Sequence, residues 1–159
     1  MPSVRALIGC LPRSSGSLLL EARISEVMDA HRQLTPGAPE AGGILLGFRR
    51  PPHLHVADLT EPLPTDERTR VWFRRNHHGH AQAALLHWER THRTGDYLGE
   101  WHTHPEDWPK PSGKDLREWR ILLREQRRPL VFLIVGFQGR WVGVGSGSTI
   151  SPIECVEVD

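Results

Sequence analysis

The stretch GEWHTHPEDWPKPSGKDLREW, residues 99–119, contains the pattern that decides the fold around the candidate site of this chain. Its first residues read as a β-strand, and strand alternation directs His102 and His104 to the same face. The proline after His104 ends the strand, and a proline followed by Ser112 opens a helix. The stretch therefore predicts a strand, a loop and a helix whose first turn brings Asp115 back beside the two histidines.

Two imidazoles and one carboxylate form a ligand set that suits zinc, and three protein ligands leave a fourth position for water. His102, His104 and Asp115 are therefore the candidate ligands of one Zn²⁺ ion, in a catalytic rather than a structural arrangement. An isolated His-x-His pair is a weak signal, because two histidines on a half-exposed strand need no metal. The complete spacing is more specific, because Ser112-x-x-Asp115 follows the pair and Glu40 lies upstream beside a Gly-Gly pair.

The rest of the chain predicts strands and helices in mixed order. Strands are predicted at residues 4–8, 42–48, 53–60, 71–74, 97–103, 130–137, 140–144 and 153–158, and helices at 19–34, 79–93 and 115–126. The polar segment 61–78, rich in arginine, predicts a long surface loop around the short strand at 71–74. This order indicates an α/β or α+β fold with a largely buried sheet.

Length and composition restrict the function classes. At 159 residues the chain is long enough for one domain, 1–159, and too short for two ordinary ones. We expect a cytoplasmic protein without a membrane partner, because no apolar run has spanning length and no segment resembles a signal peptide. The formal net charge of +1 indicates no overall basic field for nucleic acid. Cys10 and Cys155 lack CxxC spacing and are predicted to be buried free thiols.

Three short patterns together indicate a family: Glu40-x-Gly42-Gly43, His102-Thr103-His104-Pro105 and Ser112-x-x-Asp115. They resemble the JAMM motif of the JAB/MPN metalloprotease family, the zinc isopeptidases that include deubiquitinases. The resemblance covers about residues 24–144. It implies a JAB/MPN-like single domain with a curved mixed β-sheet flanked by helices, in agreement with the predicted order of elements.

The resemblance also implies roles for individual residues. Glu40 resembles the family's general base, which accepts the proton of the attacking water and passes it to the leaving amine. In the family, Ser112 supports the tetrahedral oxyanion, although its spacing from Asp115 equally predicts a helix N-cap, and the two roles can coexist. Trp108, between the two halves of the motif, is the candidate substrate-binding residue, with plain packing as the alternative. Glu100 shares the strand face of the histidines and is a candidate to hold an imidazole.

A set of histidines and a set of arginines in or near segment 61–78 are interpreted as ordinary solvated residues. The histidines at 77, 78 and 80 are interpreted as solvated residues, so no second metal is assigned. The arginines at 68, 70, 74 and 75 are interpreted as a solvated loop, with recognition of an acidic partner surface as the alternative.

A narrower resemblance concerns residues 97–101 and the stretch 65–75, which contains Asp66, Arg68, Phe73 and Arg74. Both are similar to the bacterial branch once labelled integrative and conjugative element proteins, which accompanies ubiquitin-transfer-like enzymes in CBASS antiphage operons. This resemblance implies an isopeptidase that cuts after the C-terminal tail of a ubiquitin-like or conjugated protein, here a cGAS-like nucleotidyltransferase. E1/E2-like conjugation proteins are the implied partners.

Other functions of the same motif remain open. One is a processing peptidase for ubiquitin-like or sulfur-carrier proteins, and another is a non-catalytic MPN scaffold. The scaffold is disfavoured because every ligand position is filled. A RadC-like relative is disfavoured because Glu106-Asp107-Trp108 replaces the Ser-Gly typical of that branch after the histidine motif, and because no DNA-binding module is appended.

Overall fold

The fold is described for residues 5–159 by a computed structural model. Its strands are β1 (Ala6–Cys10), β2 (Ser17–Leu20), β3 (Gly42–Arg50), β4 (His53–Leu59), β5 (Glu67–Thr69), β6 (Trp72–Arg74), β7 (Asp96–Thr103), β8 (Leu130–Val135), β9 (Arg140–Ser146), β10 (Thr149–Pro152) and β11 (Cys155–Val158). Its helices are α1 (Ala22–Asp29), α2 (His77–Arg90) and α3 (Gly113–Gln126). None of these helices is long and apolar enough to cross a membrane.

Nine of these strands form one mixed sheet in the order β10-β9-β8-β7-β3-β4-β2-β1-β11. β7 pairs in parallel with β8, and β2 in parallel with β4, whereas the other neighbours are antiparallel. Register shifts near Leu46, against both neighbours of β3, are irregularities of the kind that bend a strand. The predicted curved mixed sheet flanked by helices is therefore confirmed.

The core lies on both faces of β8, which is buried along its whole length. The odd-numbered residues of β8 pack in the cluster that includes Ile24 and Met28 of α1. The even-numbered residues pack in the cluster that includes Trp119 and Leu123 of α3. A strand covered by a helix on each face needs apolar side chains at every position, which explains the uninterrupted run LVFLIV.

The helix predicted at residues 19–34 starts too early and ends too late. Residues Ser17–Leu20 form β2, in which Leu18 and Leu20 are buried and Leu19 is partly exposed. Pairing of β2 with β1 and β4 decides the outcome, because a short apolar run fits a strand or a helix equally well. Beyond α1, the Gln33 side chain is buried and donates to the Ala38 and Arg70 carbonyls, so this segment turns instead of continuing the helix.

The segment predicted as a long loop contains a small antiparallel hairpin of β5 and β6. The short strand predicted at 71–74 is confirmed as β6, whereas its partner β5 was not predicted. Asp66 closes this segment, because its carboxylate accepts hydrogen bonds from the Leu63 N–H at 2.7 Å and the Asn76 N–H at 2.6 Å. Residues 63–76 are called the hairpin segment below.

The two ends of the described chain meet in the sheet, where β1 pairs with β11. The predicted strand at 4–8 corresponds to β1, and Val4 itself lies outside the described residues. Near the other end, β10 was not predicted. Cys10 lies on the exposed face of β1 and Cys155 is partly buried, and both thiols are free. The prediction of two buried thiols is therefore wrong for Cys10.

Candidate metal centre

His102 lies near the end of β7, opposite Gly42 at the start of β3, and His104 directly follows the strand. Their Nε2 atoms are 3.0 Å apart, so the two imidazoles lie on one side as strand alternation predicts. Thr103 lies on the other side, where its hydroxyl accepts a hydrogen bond from the Ala41 N–H and donates one to Gln33 Oε1. This buried hydrogen-bond pair holds the backbone from which both imidazoles project.

Asp115 completes a triangle with the two histidines. Its Oδ2 atom lies 3.4 Å from His102 Nε2 and 3.2 Å from His104 Nε2. A tetrahedral zinc ion with bonds of about 2.0–2.2 Å holds its ligand atoms roughly 3.3–3.6 Å apart. The three separations, 3.0, 3.2 and 3.4 Å, are at or slightly below this range, so the donor atoms need to move apart by only a few tenths of an ångström. Their chemistry fits one zinc ion with a fourth position open.

A capping box at the start of α3 directs the Asp115 carboxylate. The Ser112 hydroxyl accepts a hydrogen bond from the Asp115 N–H at 3.0 Å, and Asp115 Oδ2 accepts one from the Ser112 N–H at 2.8 Å. The N-cap interpretation of Ser112 is thus confirmed. Because the hydroxyl is an acceptor in this cap, its own proton is free to be donated to a ligand.

Glu40 lies just before β3 and is 6% exposed. One of its carboxylate oxygens lies within 4.8 Å of a ring nitrogen of each histidine. The ion pairs described within residues 5–159 join Asp115, but not Glu40, to both imidazoles. Glu40 is held through its backbone, because its N–H donates to the Thr69 carbonyl at 2.7 Å and its carbonyl accepts from Arg68 Nε at 2.8 Å. The hairpin segment therefore positions this carboxylate.

The carboxyls of Glu40 and Asp115 differ in their protonation. Burial raises the pKa of Glu40 to about 7, although the nearby charges of His102 and His104 oppose this change. Burial also favours neutral Asp115, but hydrogen bonds from both histidines outweigh it and lower its pKa. For His102, burial opposes protonation, yet its interaction with Asp115 raises the pKa of the imidazole. Asp115 thus stays ionised as a ligand must, whereas Glu40 can exchange a proton near neutral pH.

The Gly-Gly pair of the motif allows close approach of neighbouring segments. A Cβ on Gly43 would lie 2.1 Å from the Thr60 carbonyl oxygen. A Cβ on Gly42 would lie 2.7 Å from the Trp101 carbonyl oxygen and 2.9 Å from the ring of Phe73 in β6. The two glycines therefore allow the start of β3 to lie against β7, the end of β4 and the hairpin segment.

Glu100 does not contact an imidazole, so its candidate role is corrected. Its carboxylate pairs with Arg75 and accepts a hydrogen bond from Trp119 Nε1 at 2.8 Å. The Trp119 ring lies beside that of His102, with 5.9 Å between the ring centroids. Glu100 thus reaches His102 by contact through Trp119. Its charge also raises the pKa of that imidazole, after the larger effects of burial, Asp115 and Glu40. Trp101 is buried on the other face of the strand.

A cleft of about 440 Å³ opens beside the triangle, between β6 and α3. All three residues of β6 line one wall, and Lys114 and Ile121 line the other. A second cleft of about 210 Å³ also includes Glu40 and Asp115 in its lining. Both clefts are lined by Trp72 and Lys114, whose Nζ lies 5.1 Å from the centroid of the Trp72 ring. Sequence reasoning did not place either residue at the site. Trp72 was included only in the predicted strand at 71–74, and Lys114 lies between Ser112 and Asp115 of the motif.

Trp108 is 68% exposed and its ring covers Gly139 in the turn between β8 and β9. The carbonyl oxygens of Glu106 and Asp107 accept hydrogen bonds from residues 137–139, so this loop is fixed to the same turn. Trp108 is not among the described residues that line the two clefts, whereas Trp72 is. Substrate contact by Trp108 stays a prediction.

The histidines at 77, 78 and 80 have separate environments. His77 lines the larger cleft and His78 is exposed. His80 is 1% exposed, and its Nε2 lies 2.9 Å from Asp66 while its Nδ1 lies 2.6 Å from the Thr60 hydroxyl. The interpretation of all three as solvated residues is therefore wrong for His80, which joins the hairpin segment to the end of β4.

Most arginines of the hairpin segment form hydrogen bonds or ion pairs within the protein. Arg68 donates to the Glu40 carbonyl and Arg70 to the Thr35 carbonyl. Arg75 is paired with Glu100, whereas Arg74 lies exposed in the lining of the larger cleft. The solvated interpretation therefore fails for Arg75 and is incomplete for Arg68 and Arg70.

The curved mixed sheet, with a His-x-His strand end facing a capped Ser-x-x-Asp helix, defines a domain of the JAB/MPN type. The chain belongs to the Prok-JAB family, the prokaryotic homologs of the JAB domain, which it matches over residues 22–143. The solution structure of protein DSY2949 from Desulfitobacterium hafniense is similar, with a TM-score of 0.57 and 22% identity over 80% of this chain and 84% of that one. This likeness concerns the fold.

The chain is similar to three bacterial proteins, each named CD-NTase/cGAS isopeptidase. The protein of Pseudomonas aeruginosa is 41% identical, over 81% of this chain and 85% of its own length. That of Vibrio cholerae is 39% identical, over 80% and 81%. That of Escherichia coli is 36% identical, over 73% and 74%. The similarity thus extends over most of each chain.

Proposed function

We propose that this chain is a zinc-dependent isopeptidase that cleaves the amide bond after the C-terminal tail of a conjugated protein. The observation that carries the proposal is the triangle of His102, His104 and Asp115 donor atoms, with Glu40 beside it, in the lining of the two clefts. The names of the three relatives support this reaction. They also support a cGAS-like nucleotidyltransferase as the conjugated protein.

A zinc ion held by His102, His104 and Asp115 would polarise the scissile carbonyl and lower the pKa of a water molecule at the site. Glu40 takes one proton from the attacking water and passes it to the amine that leaves when the amide bond breaks. The Ser112 hydroxyl donates a hydrogen bond to the oxyanion that develops on the scissile carbonyl. The capping box keeps that hydroxyl next to Asp115.

The substrate tail binds in an extended form in the larger cleft. β6 lines this cleft and, within residues 5–159, pairs only with β5. Its second edge can therefore pair with the tail as an added strand, and backbone hydrogen bonds of this kind require no particular side chains. Trp72 and Lys114 bound the cleft near the reacting bond.

The partners follow from the same proposal. E1/E2-like conjugation proteins of a CBASS antiphage system form the bond that this chain cuts, and cleavage restrains or resets that conjugation. The reaction takes place in the cytoplasm, where those proteins act.

The test uses the full chain loaded with zinc and a cGAS-like nucleotidyltransferase joined through its C-terminus to a target lysine. Wild type is expected to release the nucleotidyltransferase. Glu40→Gln is expected to be slower by about 10²–10⁴-fold, because it lacks the general base, while keeping the zinc content of wild type. Glu67→Gln, at an exposed glutamate of β5, is the matched control and keeps full activity.

Mass spectrometry of the products identifies the bond, and a linear fusion assayed in parallel compares an isopeptide with a peptide bond. A chelated sample is expected to lose activity and to regain it with added zinc. Full activity of Glu40→Gln, or of the metal-free chain, contradicts the mechanism. If zinc-loaded wild type cuts other fusions but leaves this conjugate intact, the proposed substrate is wrong.

A further inference from the structure

Another cleft, of about 520 Å³, lies away from the metal centre and from the two clefts described there. It is formed by the end of β3, the start of β4, the segment just before β8, the end of β9 and β10, together with the loop between β1 and β2. Its apolar lining includes Leu11, Leu54 and Val144 and several prolines. The mechanism proposed above uses none of these residues.

Arginines surround this cleft and the one next to it. The neighbouring cleft, of about 440 Å³, is formed by the end of α3 and shares Arg128, Pro129 and Ser146 with the first. The arginines that line the two clefts are Arg13, Arg49, Arg120, Arg124, Arg127 and Arg128. No aspartate or glutamate is among the described residues of either lining. This surface is called the arginine face below.

The arginine face keeps most of its positive charge. Asp96 is paired with both Arg49 and Arg128, so one carboxylate neutralises two guanidinium groups only in part. The ion pairs within 4.0 Å described for residues 5–159 include none with the other four arginines of the face. In a chain of formal net charge +1, this is a marked local excess of positive charge.

Helix stability explains only part of this arrangement. Cations in the last turn of a helix interact favourably with its dipole, which accounts for Arg124. Arg120 lies four residues before Arg124, and like charges at that spacing cost about 0.2–0.5 kcal/mol. Arg49 is held by Asp96 and by the Pro129 and Tyr97 carbonyls. Arg13 belongs to the loop between β1 and β2, and the helix dipole does not account for it.

We propose that the arginine face binds an acidic segment of a partner protein that also carries apolar side chains. Guanidinium groups pair with carboxylates through two parallel hydrogen bonds, and the face contains arginine without lysine. The apolar lining accepts the apolar side chains of the segment. Single-stranded nucleic acid is disfavoured because no phenylalanine, tyrosine or tryptophan lines either cleft to stack a base.

This binding is separate from cleavage in space. α3 begins at the metal centre, and along its axis Arg120 lies about 7 Å and Arg124 about 14 Å beyond Asp115. A partner segment on the face and a tail at the metal centre can therefore be bound at the same time. The proposal concerns binding alone and does not depend on the proposed isopeptidase activity.

The test measures fluorescence anisotropy of a short labelled peptide of glutamates, aspartates and two leucines, titrated with the full chain. Binding is expected to weaken by about tenfold or more when the acids are replaced by their amides, and also in Arg13→Glu and Arg120→Glu. These two variants change opposite parts of the face. Arg90→Glu, at an exposed position of α2, is the matched control and leaves the affinity within about twofold.

The apolar part of the proposal is tested with a peptide in which serines replace the leucines, and this peptide is expected to bind more weakly. Thermal unfolding checks that the variants fold, since removal of like-charge repulsion should leave their stability unchanged or higher. Equal binding of the amide peptide, or unchanged binding by both arginine variants, overturns the proposal. So does tighter binding of oligothymidine or duplex DNA than of the acidic peptide.

Discussion

Ser112 and Asp115 show how one local motif serves both the helix and the site. The capping box satisfies backbone N–H groups at the start of α3, and the same bonds direct Asp115 Oδ2 toward the two imidazoles. Stability and chemistry therefore depend on different atoms of Ser112. Its oxygen lone pair caps the helix, and its hydroxyl proton is the group proposed to bind the oxyanion.

Substitutions at Ser112 should separate these two contributions. Ser112→Ala is expected to lower the free energy of unfolding by about 1 kcal/mol, and Ser112→Gly by only a few tenths, because glycine is an acceptable N-cap. The Ala and Gly variants both lack the hydroxyl, so their kcat should be lower than that of wild type by roughly 10²–10³-fold. Ser112→Thr keeps a hydroxyl and should retain much of the wild-type kcat. Urea unfolding and cleavage assays measure the two effects. Wild-type kcat in Ser112→Gly would show that the hydroxyl has no part in the reaction.

At the scale of elements, the hairpin segment is the part that holds the candidate base. It bonds both backbone groups of Glu40, and it is itself held by the buried contact between Asp66 and His80. Burial lowers the pKa of His80, although Asp66 opposes this change. The pKa of Asp66 is also lowered, since the hydrogen bonds from Leu63, Asn76 and His80 outweigh its burial.

These shifts predict a loss of stability in acid. The unfolded chain takes up a proton at His80 as the pH falls through its ordinary value near 6.5, whereas the folded chain resists it, so the free energy of unfolding falls below that pH. The contribution of Asp66 is lost later, below its ordinary value of 3.8. His80→Gln is expected to be less stable and to depend less on pH between about 7 and 5. Urea unfolding of wild type and His80→Gln across this pH range measures both differences.

The control for this comparison is His78→Gln, which changes an exposed histidine of the same helix and should keep the pH dependence of wild type. Comparison with wild type is necessary because His102 has a raised pKa and contributes in the opposite direction. The same slope in wild type and His80→Gln would contradict the assignment to His80.

At the scale of the whole molecule, the sheet assembles the site from distant parts of the chain. β3 and β7 pair in a register that places Gly42 opposite His102, and this brings Glu40 to the end of β7. α3 packs on one face of the sheet through Trp119 and Leu123 and delivers Asp115. The proposed ligands lie at a strand end and on a separate helix, so metal binding at this site would be coupled to folding.

Zinc should therefore stabilise the whole domain. At a free zinc concentration about a thousand times Kd, the free energy of unfolding should rise by roughly 4 kcal/mol, which corresponds to a Tm increase of about 10 °C. His104→Ala and Asp115→Asn should lose most of this increase, and His78→Ala should retain it. Calorimetry of the metal-free chain, before and after zinc is added, measures this increase in Tm. An increase of wild-type size in both ligand variants would place the metal elsewhere.

The sequence by itself determined the features that depend on neighbours in the chain. The alternation of His102 and His104, and the capping of α3 by Ser112 with Asp115, follow from strand and helix geometry. The mixed sheet and the Prok-JAB family follow from the same motif and the order of elements.

Only the tertiary structure decided features that depend on contacts across the chain. Residues 17–20 became a strand because β1 and β4 lie on either side, and His80 became buried because Asp66 and Thr60 meet it. Glu100 contacts Arg75 and Trp119 instead of a histidine. The arginine face likewise collects residues from several elements. Sequence periodicity records which residues share one side of an element, whereas packing between elements determines what that side meets.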